Sequence, residues 1–247
     1  MSGHSHFATI KRTKEANDAK KGKVFSKFAR EIAIAVKTGG GTDPEFNYKL
    51  RMIIDKARTY NMPKDNIERA ISRGSGTEAL EVINYEGFGP CGVGVIVEVA
   101  TDNRNRTAQE IKNLFERVGG SWSGPGSVSF NFDHKGLLVV NKESNFEEQM
   151  LKLIDCGAED VEELEVEVEV YTSPDKLREV RGNMEKAGFI IKSAELILKP
   201  KTFQQITDSK DASKILAFME QLDDHDDVQN VYANFDIPDE VIKQIEN

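Results

Sequence analysis

The sequence predicts an α+β protein: an N-terminal three-helix domain followed by two ferredoxin-like α+β domains, one inserted in the other. Two observations lead to this prediction. Apolar residues recur at helical spacing up to residue 74, whereas strand patterns alternate with helix patterns from residue 77 onward. We place a basic helical domain at residues 1–76, a discontinuous middle domain at 77–135 plus 200–247, and the inserted domain at 136–199.

The first segment contains three helical patterns with short connections. In the first, the apolar positions 25, 28, 32, 35 and 36 fall on one face. The cations Lys23, Lys27, Arg30 and Lys37 fall on roughly the opposite face. Gly39–Gly41 ends this helix, and the pair Asp43–Pro44 begins the second. The third begins at Pro63 and stops at Gly74. Three such helices predict a small bundle.

The second segment mixes short strands with helices. GVGVIVEV (92–99) is typical of a strand with a buried face, and the alternation in EVEVEVY (165–171) of a half-buried one. VSFNF (128–132) and GLLVV (136–140) predict two strands joined by a turn at 133–135. The remaining predicted elements are helices at 108–118, 145–156, 174–187 and 209–222 and strands at 159–163, 189–198 and 228–235.

Charge is distributed unevenly along the chain. The net charge is -9, yet residues 1–76 carry 16 Lys and Arg against 8 Asp and Glu, a net of +8, and residues 77–247 carry 17 against 34, a net of -17. Such asymmetry indicates a polyanionic partner for the basic part. An acidic remainder would repel the same partner and confine binding to one end.

The cations of the first segment are therefore the candidate nucleic-acid-binding residues. Residues 3–22 hold few large apolar groups, so we expect a basic arm that becomes ordered only when a partner neutralises it. Phosphates are bound by Lys and Arg with release of counterions, and no helix-turn-helix or aromatic RNA-binding pattern is present, so backbone or shape recognition is expected. The candidates are His4, Lys11, Arg12, Lys14, Lys20, Lys21, Lys23, Lys27 and Arg30.

A second candidate site is the segment TDNRNRT (101–107). Thr107 and Glu110 fit a capping box, which predicts a helix that begins just after Thr107. Arg104 and Arg106 would then lie at the positive end of the helix dipole, where a phosphate would be favourable. The alternative is that these arginines form bridges to Asp102 or to the acidic neighbouring domain.

Other motifs carry weaker signals. His4–Ser5–His6 and the run Asp223–Asp227 could attract a cation, but neither has a complete ligand set, so we expect solvated polar segments and no metal or cofactor. Cys91 and Cys156 are expected to be small buried residues. The sequence offers no nucleophile or general-base constellation, so we expect no enzymatic activity. The glycine-rich segment 87–92 is typical of a tight hairpin connection, with a small-effector site as the alternative.

Several runs of residues resemble one family. GHSHFATIKRTKEANDAKKGKVFSKFAREI, TGGG, NMPKDNIERAI, YEGFGP, TDNRNRT and GSVSFNF are similar to the YebC/PmpR family, which includes the mitochondrial translational activator of cytochrome c oxidase. The resemblance spans the chain and implies a helical N-terminal domain followed by two α+β domains. It differs at His6–Phe7, where the family usually has Lys-Trp, so stacking at position 7 is expected to be weaker.

The resemblance implies a regulator of gene expression that binds either promoter DNA or, on the ribosome, ribosomal RNA together with tRNA. The alternative is an effector-binding regulatory module that uses the two ferredoxin-like domains. No apolar stretch is long enough to cross a bilayer, and the start lacks the apolar core of a secretory signal. We therefore expect a cytoplasmic protein with no membrane contact.

Overall fold

The computed structural model describes residues 21–76 and 80–246 of the 247-residue chain. These residues group into two compact units. One unit is 132–201, and the other contains 21–76, 80–131 and 202–246. The helical segment and the first sheet therefore lie in one unit, and the division into three domains stays a prediction.

Three helices form the N-terminal bundle: α1 (Lys21–Thr38), α2 (Tyr48–Thr59) and α3 (Lys64–Gly74). Their apolar faces share one core, which includes Phe28, Ile32 and Leu50. Burial of these side chains stabilises the bundle by about 1.5–3 kcal/mol for each large residue. The three predicted helices are thus present, with one different boundary.

That boundary is the start of α2. It begins at Tyr48 and not at Asp43–Pro44, because the capping residue is Asn47. The Asn47 side chain accepts a hydrogen bond from the Leu50 amide at 3.0 Å and donates to the carbonyls of Ala35 and Gly41, both at 2.8 Å. The side chain of Asp43 instead accepts from the Glu45 amide and stabilises a local turn. Asn47 thereby fastens the end of α1 to the start of α2.

The rest of this unit is a four-stranded antiparallel sheet with helices. Its strands are β1 (Glu81–Phe88), β2 (Gly94–Thr101), β3 (Ser121–Ser123) and β9 (Val228–Ala233), in the order β3-β1-β2-β9. Two helices, α4 (Arg104–Arg117) and α7 (Ser209–Asp223), pack on it through Phe115 and Phe218, whose rings meet at 5.1 Å. Two strands precede the first helix, so the connectivity differs from the ferredoxin-like order.

Two small strands and a helix complete this unit. They are β8 (Gln204–Gln205), which pairs in parallel with β10 (Phe235–Asp236), and α8 (Asp239–Glu246). Neither β1 nor α8 was predicted from the sequence. The buried part of β1 contains a charged residue, Glu86, so apolar and polar residues do not alternate regularly along this strand.

The other unit has the ferredoxin-like arrangement. Its elements follow the order strand, helix, two strands, helix, strand, and its sheet has the order β5-β6-β4-β7 with antiparallel neighbours. The elements are β4 (Phe132–Asn141), α5 (Phe146–Asp155), β5 (Asp160–Glu163), β6 (Glu167–Thr172), α6 (Leu177–Lys186) and β7 (Ile191–Pro200). The α+β class is confirmed.

Three local predictions were wrong. The turn expected at 133–135 is strand, because β7 is long enough to pair with β4 from Phe132 onward, and residues 129–131 form a short 3₁₀ turn instead of strand. Cys156 is buried as expected, but Cys91 is exposed. Cys91 lies in the connection between β1 and β2 and has a φ of 59°.

Candidate nucleic-acid interface

Three of the candidate cations lie on one face of α1. Lys23, Lys27 and Arg30 are separated by four and three residues, so consecutive side chains are neighbours on the helix surface. We call these three residues the cation row. The opposite face of α1 carries the apolar residues of the bundle core.

The cation row contacts a short acidic segment that follows α7. We call residues 223–227, with the sequence Asp-Asp-His-Asp-Asp, the acidic loop. Lys27 Nζ donates to the carbonyl oxygen and Oδ1 of Asp223 at 2.6 and 3.0 Å. Lys23 Nζ donates to the Asp224 carbonyl at 3.1 Å and lies 3.6 Å from its Oδ1. The expected separation of positive from negative charge does not hold at this place.

Arg30 completes the contact at the other end of the row. Its guanidinium donates to the carbonyl of Asp226 and lies 3.2 Å from Oδ1 of Asp227. Each of the three cations therefore meets one carbonyl and one carboxylate oxygen. The arrangement neutralises charge that sequence reasoning had assigned to a free surface.

Helix electrostatics explain why the acidic loop attracts cations. The last turn of α7 contains no basic residue, and Asp223 and Asp224 lie at its C-terminus. The C-terminus of a helix carries a partial negative charge, so carboxylates there are unfavourable unless cations approach. Lys23 and Lys27 supply these cations and also bind carbonyls that have no partner within the helix.

Asp227 is the buried centre of this site. Its carboxylate Oδ2 accepts from Thr107 Oγ1 at 2.7 Å and from Arg106 Nη2 at 2.8 Å, while Oδ1 faces Arg30. The carboxylate thus connects α1, the start of α4 and the start of β9. The end of β2 lies here too, because the Ala100 amide donates to the Asp227 carbonyl at 2.8 Å.

These contacts keep Asp227 ionised. Burial alone would raise the pKa of its carboxyl group, but the hydrogen bonds from Thr107 and Arg106 and the charge of Arg30 outweigh burial, so the pKa lies below the ordinary 3.8. The hydrogen bond and charge of Asp227 in turn raise the pKa of Arg106. The carboxylate is a permanent internal anion between two arginines.

His225 links the acidic loop to α4. Its Nδ1 accepts from the Asp227 amide at 3.1 Å, so the neutral ring carries its proton on Nε2, which lies 3.0 Å from Glu110 Oε2. Possible ligand atoms of Glu110, His225 and Asp227 lie within 4.8 Å of one another. Because both Asp227 oxygens and His225 Nδ1 are already bonded, hydrogen bonds and the ion pairs of Asp227 with Arg30 and Arg106 account for this cluster.

The predicted phosphate site at Arg104 and Arg106 has a different geometry. Asn103, and not Thr107, caps α4 by accepting from the Arg106 amide at 3.1 Å, so the helix begins at Arg104. Arg106 pairs with Asp102 at 3.1 Å, as the alternative interpretation proposed, and also with Asp227 at 2.8 Å. The Arg104 side chain is exposed and forms no ion pair with the residues described. Anion binding at this pair stays a prediction.

The remaining candidates cannot be placed. His4, Lys11, Arg12, Lys14 and Lys20 lie outside the described residues, as does most of the predicted basic arm. Lys21 begins α1, but its side chain also lies outside the described part.

The structure also presents an aromatic residue that sequence reasoning missed. Phe46, in the connection between α1 and α2, is 85% exposed. The connection is held by Asn47 and by Arg51, which donates to the carbonyls of Pro44 and Glu45 at 3.0 and 3.1 Å and pairs with the Glu45 carboxylate. A Cβ at Gly39 would lie 2.3 Å from the Asn47 side chain, so only glycine fits there. A rigid connection thus holds a phenylalanine in solvent.

Comparisons with known proteins identify the family. A model described as TACO1/YebC protein N-terminal domain matches residues 5–77, and one described as TACO1/YebC second and third domain matches residues 80–235. A probable transcriptional regulatory protein of Dictyoglomus turgidum is 49% identical over 99% of this chain and 100% of its own length. Another, from Geobacter sulfurreducens, is 48% identical with the same coverage of both chains.

A solved structure agrees with these matches. The crystal structure of a conserved hypothetical protein from Aquifex aeolicus has a TM-score of 0.83 to this chain at 44% sequence identity, and the similarity covers 90% of this chain and 93% of that one. Within the described residues, no helix is both long and apolar enough to span a membrane. The resemblance read from the sequence motifs is confirmed, and the chain belongs to the TACO1/YebC family.

Proposed function

We propose that this protein is a non-enzymatic, nucleic-acid-binding regulator of gene expression in the cytoplasm. The observation that carries the proposal is the net charge of +8 on residues 1–76 of a chain whose total charge is -9. A basic segment on an acidic protein favours association with a polyanion through one end. The names of the relatives, probable transcriptional regulatory proteins, support a regulatory role.

The ligand contacts in this proposal are to the phosphate backbone. Lys and Arg on a helix and on a preceding basic segment can follow phosphates without reading base edges. Duplex DNA and structured RNA both offer this chemistry. We favour structured RNA, such as ribosomal RNA with tRNA, because separated cationic elements suit an irregular surface with many phosphates.

Exposed residues of the bundle extend the proposed surface. Lys37 and Lys49 are exposed and form no ion pair with the part of the chain that the structure describes. Phe46 lies close in sequence to Lys49 and offers an aromatic face on which an unpaired base could stack. Stacking of this kind contributes about 1–3 kcal/mol per base.

A salt titration tests the proposal. The full-length protein is titrated separately into a fluorescein-labelled RNA stem-loop, a labelled 20-nucleotide oligouridylate and a labelled 20-base-pair DNA duplex. Fluorescence anisotropy gives the affinity for each ligand at several salt concentrations. With about five phosphate contacts, we expect the logarithm of affinity to fall with a slope of about -4 against the logarithm of salt concentration. A slope near zero for all three ligands would refute the proposal. The ligand that is bound most tightly and with the steepest slope is the preferred nucleic acid.

A further inference from the structure

We infer that the acidic loop and a nucleic-acid backbone compete for the cation row, so that the free protein keeps this part of its phosphate-binding surface occupied by its own aspartates. This inference rests on the proposed function and adds its regulation. It concerns Lys23, Lys27 and Arg30, whose positive groups all face residues 223–227.

The acidic loop offers the cation row the chemistry that phosphates would offer. Each cation meets two oxygens, one from a carbonyl and one from a carboxylate, much as a cation can meet two oxygens of a phosphate group. The donors follow one another along a helix face at intervals of three and four residues, about 4.5–6 Å along the axis. A linear polyanion can therefore replace the loop without rearrangement of α1.

The contact is weakest at one end. The side chains of Lys23 and Asp224 are 52% and 49% exposed, whereas those of Lys27 and Asp223 are 15% and 22% exposed. At the other end, Arg30 faces Asp227, whose side chain is 5% exposed and is also held by Arg106. Exposed ion pairs are weak and are screened by salt, so the Lys23 end opens first.

The order of residues in the chain favours displacement from that end. Lys20 and Lys21 precede Lys23 in the sequence, with one glycine between Lys21 and Lys23. Cations this close in sequence can bind neighbouring phosphates of one polyanion, which raises the local concentration of that polyanion at Lys23. Asp227 can keep its bonds to Arg106 and Thr107 after Lys23 and Lys27 have exchanged their partners.

Neutralising the weak end of the acidic loop tests the competition. The double variant Asp223→Asn/Asp224→Asn removes two competing charges and leaves Asp227 intact. We expect it to bind the oligouridylate about three- to tenfold more tightly than the wild type at low salt. The control Glu143→Gln/Glu147→Gln changes the net charge equally in the unit 132–201, at exposed positions. We expect its affinity to stay within about twofold of the wild type, because this pair changes the net charge without altering the acidic loop that faces the cation row.

Cross-linking tests the same exchange without measuring affinity. A carbodiimide joins an amine to a carboxylate in direct contact, so it should link Lys27 to Asp223, whose atoms lie 3.0 Å apart. Peptide mass spectrometry measures the yield with and without saturating oligouridylate. We expect the nucleic acid to lower this yield at least threefold and to leave the yield unchanged for Lys199 and Asp160, which lie 2.8 Å apart in the other unit.

The outcomes separate this inference from the proposed function. If the wild type binds nucleic acid with a steep salt dependence, but the double variant matches its control and the Lys27–Asp223 yield does not fall, the competition is refuted and the proposed function stands. If neither the wild type nor the double variant binds either nucleic acid, both are refuted. Tighter binding by the double variant together with a lower cross-link yield supports the competition.

Discussion

Replacing Asp227 with asparagine tests the view that its carboxylate holds three parts of the chain together. Asp227→Asn keeps the size of the side chain and removes its charge. Its partners come from α1 and α4, namely Arg30, Arg106 and Thr107. We expect a marked loss of stability, because two arginines would then face a neutral amide.

The structure sets the size of this loss. Removing one partner from a fully buried ion pair costs about 3–5 kcal/mol. Here the Asp227 side chain is 5% exposed, but those of Arg30 and Arg106 are 24% and 45% exposed, so water can solvate them in the variant. Arg106 also keeps Asp102 at 3.1 Å. We therefore expect a loss of about 2–3 kcal/mol, which corresponds to a fall in Tm of about 4–12 °C for a chain of this size.

Urea unfolding followed by tryptophan fluorescence measures this loss. Trp122 is the single tryptophan of the chain, and its ring lies 4.8 Å from that of Tyr85, so it reports on the unit that contains Asp227. The matched control is Asp224→Asn, because Asp224 and its partner Lys23 are half-exposed and should contribute less than about 0.5 kcal/mol. An unchanged m-value, the slope of the free energy of unfolding against urea concentration, would show that the substitution has changed only stability.

The pH dependence provides a second check. Because the pKa of Asp227 is lower in the folded protein than its ordinary value of 3.8, ionisation stabilises the fold above pH 3.8. That stabilisation is lost as the pH falls through the folded-state pKa. The difference in free energy of unfolding between the wild type and Asp227→Asn should therefore be largest above pH 4 and become smaller below it. Equal stability of Asp227→Asn and Asp224→Asn at pH 7 would refute the reasoning.

Three further predictions concern the buried polar residues Asn47 and Glu86 and the exposed aromatic residue Phe46. Asn47→Ala should cost about 2–3 kcal/mol in urea unfolding followed by circular dichroism, because it removes a helix cap and two hydrogen bonds to backbone carbonyls. Asn103→Ala, at an exposed cap, should cost about 1 kcal/mol, and equal losses would contradict this. Glu86→Gln should cost about 2–4 kcal/mol in unfolding followed by Trp122 fluorescence, because Glu86 accepts hydrogen bonds from three backbone amides at 2.6–2.9 Å. Burial raises the pKa of Glu86 and these amides lower it, with a net decrease, so the wild type should be more stable than the variant by the full amount above pH 4.5 and lose this advantage in acid. A stability difference that does not change with pH would argue against this reasoning. Phe46→Ala should leave Tm within about 1 °C but weaken oligouridylate binding about fivefold or more, whereas Phe46→Trp should retain binding; unchanged binding by Phe46→Ala would remove Phe46 from the proposed surface.

Most secondary structure followed from periodicity, but several boundaries did not. The helices of the bundle were predictable because their apolar residues recur every three or four positions. The starts of α2 and α4 were misplaced because two residues in each segment could serve as caps, and tertiary contacts chose between them. Asn47 caps α2 because its side chain also binds a carbonyl at the end of α1. Thr107 does not cap α4 because its hydroxyl group forms a buried hydrogen bond to Asp227.

The sequence alone determined the family, the α+β class and the excess of positive charge on residues 1–76, because motifs, periodicity and composition are properties of neighbouring residues. Only the tertiary structure decided what the cations face. Lys27 and Asp223 are 196 residues apart in the chain, and Thr107 and Asp227 are 120 apart. Such pairs form because the ends of β2, α4, α7 and β9 meet beside α1, and no local pattern encodes that meeting.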